Sequence, residues 1–257
     1  MAKSFRDRFI AKELLFGTFL KVPATMPAEI FGSVGYDFVV IDEEHAPFNR
    51  ETTDRIILAC RASGLASIVR VQSGAPEAIL SVLDCGADGV LVPHVRDAET
   101  ARAIVAAGRY AGGKRGFAPT TRAGDFGNAG QAEHMKSEDK RVTLIAMIED
   151  PEAVEAIDDI LAVEGLDGVF IGRGDLAAAY AGDDDVATKL RDATDRVHQA
   201  AKAAKRPVAI LPGSPQDAAI QRKAGSTAFI LSSDQGFLRA AASGALASMT
   251  DAVQQTG

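Results

Sequence analysis

Two carboxylates follow two neighbouring predicted strands and could hold a metal ion between them. The apolar run 144–148 is typical of a strand buried on both faces, and Glu149 comes directly after it. A second run, 168–171, precedes Asp175, and Pro151 marks the start of a helix between the two strands. Because neighbouring strands of a parallel barrel lie about 4.8 Å apart, side chains at both carboxyl ends can converge on one ion. The alternative is that each acid only caps the helix that follows it.

The ligand types indicate a hard octahedral ion. Two carboxylates without a cysteine, and with histidine only as a neighbour, suit Mg²⁺, Mn²⁺ or Co²⁺ better than zinc. Two protein ligands would leave coordination positions for water and for a chelating substrate, as a Lewis-acid site requires. The predicted chemistry is therefore the stabilisation of negative charge on a substrate oxygen.

A histidine and an arginine at the second and third strands suit proton transfer and charge stabilisation. The tetrapeptide Asp42-Glu43-Glu44-His45 ends the second strand, so three carboxylates precede an imidazole that they can orient and make more basic. Arg70 lies in the third strand, where it could hold a carboxylate or a developing enolate oxygen. A purely structural His45 and an Arg70 that only pairs with Asp42 are the alternatives. Pairing and catalysis can coexist at Arg70.

The other histidines and one lysine are weaker candidates. His94 also follows a strand, but Asp97 is the one acid that the sequence places beside it, so we predict a structural or rim position. We predict that His134 and His198 lie at the surface. Lys21 follows the first strand and could form a Schiff base with a carbonyl substrate if its pocket were desolvated, which is an alternative to metal chemistry.

Eight apolar runs predict the strands that position these residues. They cover residues 15–20, 38–41, 67–71, 89–92, 143–148, 168–171, 207–211 and 228–231. Helical patterns such as 53–62, 98–107 and 187–204 separate them. Before five strands stands a glycine that suits the left-handed residue ending a helix, namely Gly35, Gly64, Gly86, Gly165 and Gly225. The alternation predicts an α/β fold, a closed (β/α)₈ TIM barrel rather than an open sheet.

Length and composition predict one enzyme-sized domain over residues 1–257. A chain of 257 residues with 47% hydrophobic content can bury the core of a single barrel. The net charge of −7, with dispersed basic residues, argues against a nucleic-acid surface. No apolar run has the length of a membrane span or of a signal peptide core, so we expect a cytoplasmic protein. Cys60 and Cys85 lack zinc-site spacing and are predicted to be buried free thiols.

One connection, residues 109–141, is too long and too rich in glycine for an ordinary loop between a helix and a strand. Long loops in compact domains are commonly functional, and we predict a lid that brings Arg115 or Arg122 near the barrel mouth. Gly112-Gly113-Lys114 could instead cradle a phosphate, although the spacing differs from that of a P-loop.

Several motifs, in the same order along the chain, resemble those of the HpcH/HpaI-type, metal-dependent 2-oxo-acid aldolases, which include 4-hydroxy-2-oxoheptanedioate aldolase and 2-dehydro-3-deoxyglucarate aldolase. Asp42-Glu43-Glu44-His45-Ala46-Pro47 is similar to the family's D-G-E-H-A-P, and Val69-Arg70-Val71 to its V-R-V. Leu83-Asp84 is similar to its L-L-D, and Arg109-Tyr110 with Arg115-Gly116 to its R-Y-P-P and R-G segments. The segment 163–175 resembles V-E-G-V-D-G-I-F-I-G-P-A-D. The resemblance covers almost the whole chain.

The resemblance implies a role for each matching residue. Glu149 and Asp175 would bind the metal, and the backbone of Gly174 would contact the substrate carboxylate. His45 would be the base, Arg70 would stabilise the enolate, and Asp84 would raise the basicity of His45, across a subunit contact. We expect the substrate to be contacted by Gly174, Asp175, Met147, Asp42 and Leu211. The family's assembly implies a homohexamer, a trimer of dimers, with the C-terminal helix 236–253 exchanged between subunits.

Three positions depart from the family pattern and bear on specificity. Met147 stands where members commonly have a glutamine that contacts the substrate, and Glu43 replaces a glycine. Arg173-Gly174 replaces Pro-Ala or Pro-Ser. We therefore expect the chemistry of the family to carry over more fully than its substrates.

The resulting hypothesis is a class II aldolase that needs Mg²⁺, Mn²⁺ or Co²⁺. It would make or cleave a carbon–carbon bond between pyruvate, or a substituted pyruvate such as hydroxypyruvate, and an aldehyde. The alternatives are a Schiff-base aldolase that uses Lys21, a CoA-thioester lyase of related barrel fold, and a metal-bearing scaffold that binds oxo acids without turnover.

Overall fold

The computed structural model describes residues 3–254 and confirms the predicted barrel. Eight parallel strands close on themselves in sequence order, each hydrogen-bonded to the next and the last to the first. The strands are β1 (Leu15–Leu20), β2 (Phe38–Asp42), β3 (Ala66–Arg70), β4 (Gly89–Val92), β5 (Thr143–Ile148), β6 (Gly168–Ile171), β7 (Val208–Ile210) and β8 (Ser226–Ser233). Each predicted run overlaps one of these strands.

The predicted boundaries differ most at β7 and β8. The prediction 207–211 for β7 is too long, since the carbonyl oxygen of Leu211 accepts a hydrogen bond from Arg173 Nη2 at 2.9 Å rather than from a strand. The prediction 228–231 for β8 is too short, because the pairing with β1 continues past a register shift to Ser233. A β-bulge inserts an extra residue and interrupts the alternation of side chains between the two faces of a strand. The sequence pattern therefore ends before the strand does.

Twelve α-helices connect and flank the strands in the described part of the chain. They are α1 (Phe5–Ile10), α2 (Met26–Val34), α3 (Arg50–Ala62), α4 (Pro76–Asp84), α5 (Ala98–Gly108), α6 (Gln131–Arg141), α7 (Pro151–Glu155), α8 (Ile157–Leu161), α9 (Arg173–Ala179), α10 (Val186–Ala203), α11 (Pro215–Ala224) and α12 (Asp234–Gln254). Gly35, Gly64, Gly86, Gly165 and Gly225 all have positive φ, as predicted for residues that follow helix ends. No described helix is both long and apolar enough to span a lipid bilayer.

Aromatic side chains close the amino end of the barrel. Phe5 and Phe9 of α1 are buried and stacked with ring centroids 5.7 Å apart, and Phe5 also meets Phe38 of β2 at 5.1 Å. Burial of aromatic side chains is the main favourable contribution to packing at such an end. The opposite, carboxyl end of the strands therefore remains as the end where a ligand can enter.

The long connection between α5 and β5 is partly helical and is not a lid. It contains a 3₁₀ helix, Arg122–Gly127, and the helix α6. Both of its ends lie at the amino ends of the strands. Arg115 forms an ion pair with Glu138 at 3.2 Å, and Arg122 forms one with Asp54 at 2.7 Å. The prediction that either arginine approaches the barrel mouth is therefore wrong.

The alternative phosphate cradle at Gly112-Gly113-Lys114 is also wrong. The backbone N–H of Gly113 donates to the carbonyl of Tyr110 at 3.3 Å, and that of Lys114 donates to the carbonyl of Ala106 at 2.6 Å. These donors serve the turn itself, whereas a phosphate cradle needs N–H groups that point at the ligand.

His134 and His198 are buried, which contradicts their predicted surface position. His134 Nε2 lies 3.1 Å from the hydroxyl of Tyr110, and His198 lies between the Thr194 carbonyl at 2.9 Å and Ser226 Oγ at 2.8 Å. Both ring nitrogens of His198 have a polar partner, whereas the buried Nδ1 of His134 has no hydrogen-bond partner among the described residues. The prediction failed because an imidazole with polar partners can be buried on a helix whose sequence looks polar. Cys60 and Cys85 are buried free thiols, as predicted.

Candidate active site

The strand register brings the predicted site residues together at the carboxyl end of the barrel. Asp42 pairs with Arg70 across β2 and β3, and Ile148 pairs with Ile171 across β5 and β6. Glu149 therefore leaves β5 beside Gly172, where a Cβ atom added to the glycine would lie 2.5 Å from Glu149 Cβ. A side chain at position 172 would displace Glu149, so this glycine permits the approach of the two strand ends.

Arg70 and Asp42 form a fully buried, bidentate ion pair. Arg70 Nε and Nη2 each donate to a different oxygen of Asp42 at 2.8 Å. Burial alone would raise the pKa of Asp42, but the hydrogen bonds and charge of Arg70 lower it on balance. The predicted pairing of these residues is thus observed, and the guanidinium also lies 5.0 Å from the ring centroid of Phe19. Arg70 is held rigidly at the barrel mouth.

Lys21 is a partner of the same carboxylate. Its Nζ lies 3.1 Å from Asp42 Oδ2, and its backbone N–H donates to Asp234 at 3.0 Å. A Schiff-base lysine must be free to attack the carbonyl carbon of its substrate, whereas this Nζ is held at a buried carboxylate. The surroundings of Lys21 therefore argue against the Schiff-base alternative.

Glu44 and His45 lie at the rim of this pair. Glu44 Oε2 is 3.3 Å from Arg70 Nη1 and 3.7 Å from His45 Nε2, yet this buried oxygen accepts no hydrogen bond from the described residues. The side chain of His45 is 54% exposed, which leaves its ring free to meet a ligand. Glu43 points elsewhere, since its Oε1 accepts a hydrogen bond from Thr53 at 2.6 Å.

Glu149 is a buried acid surrounded by further negative charge. Only 2% of the residue is exposed, and its pKa is raised to about 7 by burial first and then by the carboxylates of Asp175 and Glu44. The backbone N–H and the charge of His94 act in the opposite direction. A buried carboxylate that is costly to ionise by itself becomes easier to ionise when a cation binds.

His94 also belongs to this cluster, and its place there was not predicted from the sequence. Its backbone N–H donates to Glu149 Oε1 at 2.8 Å, and its Nδ1 lies 3.1 Å from Asp150 Oδ2. Its Nε2 lies 3.9 Å from Glu44 Oε1. Burial alone would lower the pKa of His94, but the Asp150 hydrogen bond and the nearby carboxylates raise it on balance. The predicted rim position of His94 is confirmed, since its side chain is 52% exposed. Its acidic neighbours are Glu149 and Asp150 rather than Asp97, because β4 pairs with β5.

One signal in the sequence could have pointed to His94. It stands two residues beyond β4, in a segment that follows a strand as those of Glu149 and His45 do, and its φ in the structure is 53°. A left-handed non-glycine residue is uncommon and is concentrated at functional sites. The position was visible in the sequence, whereas the backbone conformation was not.

Asp84 lies apart from this cluster within the single chain. It ends α4, on the side of the amino ends of the strands, and its Oδ1 is 3.9 Å from Arg115 Nη2. Burial raises its pKa although Arg115 is nearby. A contact between Asp84 and His45 would therefore have to form between subunits, as the resemblance implies.

A cavity of about 390 Å³ opens beside the charged cluster. Its charged or glycine lining residues include Arg70, Arg173, Gly174 and Asp175, and its apolar lining residues include the predicted substrate contacts Met147 and Leu211. No atom lies within 4 Å of the position of a Cβ on Gly174, so its backbone faces open space. Asp42, also a predicted substrate contact, is instead fully occupied by Arg70, Lys21 and the backbone N–H of His45.

The donor set fits a divalent cation held by two protein carboxylates. Within residues 3–254, no group of three or more His, Cys, Asp or Glu side chains has the arrangement of a complete metal cage. Glu149 and Asp175 nevertheless interact electrostatically beside an unsatisfied oxygen of Glu44, which leaves an excess of negative charge at this point. An oxygen-ligand ion with several open positions would offset that charge.

Comparison with known proteins gives a consistent result along the whole chain. Residues 15–241 match the family model described as HpcH/HpaI aldolase/citrate lyase. The curated 5-keto-4-deoxy-D-glucarate aldolase of Enterobacter sp. (strain 638) is 32% identical over 239 residues, covering 92% of this chain and 93% of the relative.

Solved structures of similar proteins share the barrel. The structure of citrate synthase SbnG has a TM-score of 0.86 and 33% identity, covering 98% of this chain and 99% of that one. An HpcH/HpaI aldolase/citrate lyase family protein from Burkholderia cenocepacia J2315 has a TM-score of 0.89 and 29% identity, covering 95% and 98%.

Proposed function

Since the chain belongs to the HpcH/HpaI aldolase/citrate lyase family, we propose that it is a class II aldolase acting on pyruvate or a substituted pyruvate and an aldehyde. The observation that carries this proposal is the buried Glu149, whose pKa is raised first by burial and also by the charge of Asp175, an acid that lines one strand-end cavity together with Arg70. These groups suit a reaction in which negative charge develops on the oxo oxygen of a substrate.

Glu149 and Asp175 would hold the divalent ion, with Mg²⁺, Mn²⁺ and Co²⁺ as candidates. When bound, the ion would act as a Lewis acid that withdraws electrons from the 2-oxo acid and makes the neighbouring C–H more acidic. Oxygen ligands of this kind must be ionised, so the raised pKa of Glu149 couples metal binding to loss of a proton.

Arg70 would stabilise the oxygen that becomes negatively charged. Its Nε and Nη2 are fixed by Asp42, and Nη1 is directed toward Glu44 at the edge of the cavity. A preorganised donor requires little reorganisation as charge develops, and removal of one such donor from an enzyme typically lowers kcat about 10²–10³-fold. Asp42 would thus be a positioning residue for Arg70.

His45 would carry the proton, directly or through a water molecule. Its half-exposed ring can reach a ligand at the mouth, and Glu44 lies 3.7 Å from its Nε2. Histidine suits proton transfer near neutral pH. In an assembled enzyme, Asp84 of a second subunit would complete this group by orienting the imidazole, a contact that the resemblance suggests.

The substrate carboxylate would lie against the backbone of Gly174. The space next to its Cα is open, and the neighbouring Asp175 is part of the cavity wall. Met147 and Leu211 line the same cavity and would contact the remaining part of the substrate.

Exchange of the methyl protons of pyruvate in D₂O tests the proposal without knowledge of the aldehyde. We expect exchange with added Mn²⁺ and loss of exchange after exhaustive chelation, and Glu149→Gln and Asp175→Asn should both abolish it. Glu152→Gln, an exposed acid of α7, is the matched control and should exchange normally. Full exchange in the chelated protein would refute the metal-dependent mechanism.

A second candidate is a synthase in which an acetyl thioester supplies the carbon nucleophile. It is favoured by the 33% identity to citrate synthase SbnG over 98% of this chain, which is comparable to the 32% identity to the named aldolase over 92% of this chain. Acetyl-CoA with oxaloacetate should then release free CoA in a thiol assay. Release of CoA without any exchange of pyruvate protons would replace the aldolase proposal.

We further propose that the C-terminal helix is exchanged between subunits of a homohexamer. The last helix of an ordinary barrel packs between its neighbours, but α12 carries exposed Leu238, Leu246 and Met249. Apolar Met26, Ile30 and Val34 of α2 and Ile220 of α11 are exposed as well. Surfaces of this kind are typical of oligomer interfaces.

The two thiols support a reducing location such as the cytoplasm. Burial raises the pKa of Cys60 to about 12, and Cys85 is buried and free. Proteins of reducing compartments keep such cysteines unpaired.

A further inference from the structure

The cavity beside Arg70 is walled mainly by hydrocarbon. Its volume is about 390 Å³, near the lower end of the range for pockets that bind small molecules. Six apolar side chains contribute to its wall: Phe19, Met147, Phe170, Ile171, Leu190 and Leu211. They come from β1, β5, β6, the end of β7 and α10, so the apolar surface surrounds the cavity rather than forming one patch.

Both arginines in the lining already pair with carboxylates. Arg70 donates twice to Asp42, and its remaining Nη1 faces Glu44 at 3.3 Å. Arg173 pairs with Asp217, to whose two oxygens its Nη1 and Nη2 donate at 3.2 Å and 2.5 Å. The pKa of Asp217 is lowered to about 2, first by the Arg173 hydrogen bond, so this pair is ionised and mutually neutralised near neutral pH.

The backbone polar groups at the rim are also partly occupied. Gly213 N–H donates to Asp217 Oδ2 at 2.7 Å, and the carbonyl of Leu211 accepts from Arg173 at 2.9 Å. Among the described lining residues, Gly174 retains open space beside its backbone, at the end of the cavity next to Asp175. A charged or hydroxylated group would therefore find partners at this end and would leave its polar atoms unpaired against the apolar wall.

From this distribution we infer that the site selects substrates whose part beyond the 2-oxo acid unit is an uncharged alkyl or aryl group. The inference rests on the proposed aldolase function and names its substrate class. The 2-oxo acid unit occupies the end with Gly174, Asp175 and Arg70, and the aldehyde-derived part fills the space between Met147, Leu190 and Leu211. Each methylene buried there improves binding about fourfold.

Pairs of aldehydes matched in the number of non-hydrogen atoms test this inference. With pyruvate and Mn²⁺, the rate of aldol formation is measured for pentanal against glyceraldehyde and for hexanal against succinic semialdehyde. We expect kcat/KM to be at least about tenfold higher for the aliphatic member of each pair. Equal values, or a preference for the hydroxylated or the anionic aldehyde, would overturn the inference.

Variants of the cavity wall connect the preference to these residues. Met147→Gln keeps the length of the side chain and adds an amide, so the ratio of pentanal to glyceraldehyde should fall at least about threefold. Leu211→Ala acts at a residue that is 36% exposed, which makes folding less sensitive, and should lower kcat/KM for pentanal about fourfold or more. Leu14→Ala, at a residue 46% exposed that precedes β1, is the matched control and should leave the ratio unchanged.

The exchange of pyruvate protons in D₂O separates failure of this inference from failure of the proposed function. Exchange with a reversed aldehyde preference overturns the inference alone, whereas absence of exchange overturns the aldolase proposal. If no aldehyde reacts, inhibition of the exchange by 2-oxohexanoate and by 2-oxoglutarate gives the same comparison. Tighter inhibition by 2-oxohexanoate supports an apolar site, and tighter inhibition by 2-oxoglutarate refutes it.

Discussion

The backbone N–H of His94 donates to Oε1 of Glu149 at 2.8 Å, and this bond joins the end of β4 to the acid that follows β5. The same residue places its imidazole 3.1 Å from Asp150, the neighbour of Glu149, and Arg96 holds the other oxygen of Asp150 at 3.0 Å. The acid proposed to bind the metal is thus fixed by a neighbouring strand end rather than by its own strand alone. This arrangement depends on a left-handed backbone at His94.

Two substitutions of His94 should distinguish the contribution of its backbone conformation to stability from that of its side chain. His94→Gly tolerates φ of 53° and loses only the imidazole, whereas His94→Val loses the imidazole and also strains the backbone. We expect the valine variant to have a free energy of unfolding about 1–2 kcal/mol below that of the glycine variant, measured by urea denaturation. The same two substitutions at exposed Arg102 inside α5 should give the opposite order, because glycine is the poorer helix former. A more stable His94→Val would show that this strain is absent.

The raised pKa of Glu149 predicts that the metal-free protein loses stability as the pH rises. A folded-state pKa above the unfolded value means that the folded state binds more protons within the window from 4.5 to about 7. The contribution is fully present below this window and is lost as the pH passes through it, and the shift corresponds to about 3 kcal/mol. Urea denaturation in chelator, on both sides of the window, should show the decline in the wild type.

Glu149→Gln provides the control for that decline. The amide does not ionise, so the variant should lack this part of the pH dependence, while Glu152→Gln at an exposed position should retain it. Saturating Mn²⁺ should restore stability above the window, since the ion binds the ionised carboxylate. An identical pH dependence in the wild type and Glu149→Gln would contradict the assignment.

Much of the barrel could be predicted because its determinants are local. Buried parallel strands appear as continuous apolar runs, and glycines such as Gly35 and Gly165 mark helix ends where φ is positive. The segment 109–141 was misread because its helix α6 is polar and lacks an apolar period, having only His134 and Glu138 buried. Its charged side chains form ion pairs with distant positions, Glu138 with Arg115 and Arg141 with Asp88, which a single sequence does not reveal.

The site was predictable where it depends on adjacent strands and was missed where it depends on pairing of distant segments. Glu149 and Asp175 are separated by one repeat of the barrel, so their convergence follows from strand order. His94 reaches Glu149 only because β4 pairs with β5 across the long connection, with Val92 opposite Ala146. The relation of Asp84 to His45 could not be read from one chain, because within the described chain Asp84 lies near Arg115 and Arg50, and no contact between it and His45 is present.

Replacement of Arg70 by lysine should reduce turnover far more than it reduces stability. Lysine keeps the charge but cannot make the two bonds at 2.8 Å to Asp42, so its position beside the substrate is no longer fixed. We expect the rate of pyruvate proton exchange to fall about 10²-fold or more. Arg55→Lys, at an exposed arginine of α3, is the matched control and should exchange normally. An Arg70→Lys enzyme with full exchange activity would remove Arg70 from the mechanism.

Lys21→Met should retain most of the activity if the ion pair with Asp42 is its main role. We expect exchange within about tenfold of wild type, since Arg70 still pairs with Asp42 after the change. Borohydride added with pyruvate should trap no adduct on Lys21, as judged by mass spectrometry. Lys136→Met, at an exposed lysine of α6, serves as the control. A covalent adduct on Lys21, with loss of exchange in Lys21→Met, would establish the Schiff-base alternative instead.

Substitutions on the exposed side of α12 should dissociate the proposed hexamer. Leu246 is 71% exposed and Val34 of α2 is 68% exposed, so neither contributes much to the core of the isolated chain. Burial of a leucine at an interface is worth about 1.5–3 kcal/mol, and six equivalent copies would act together in the assembly. Leu246→Glu and Val34→Glu should therefore lower the sedimentation coefficient in analytical ultracentrifugation, with little change in the folding of each chain by circular dichroism.

Thr250→Glu, at an exposed polar position of α12, introduces the same charge without removing an apolar contact and should leave the assembly larger than a monomer. A wild-type protein that sediments as a monomer would rule out the exchange of α12, and Asp84 could then not reach His45 of another chain.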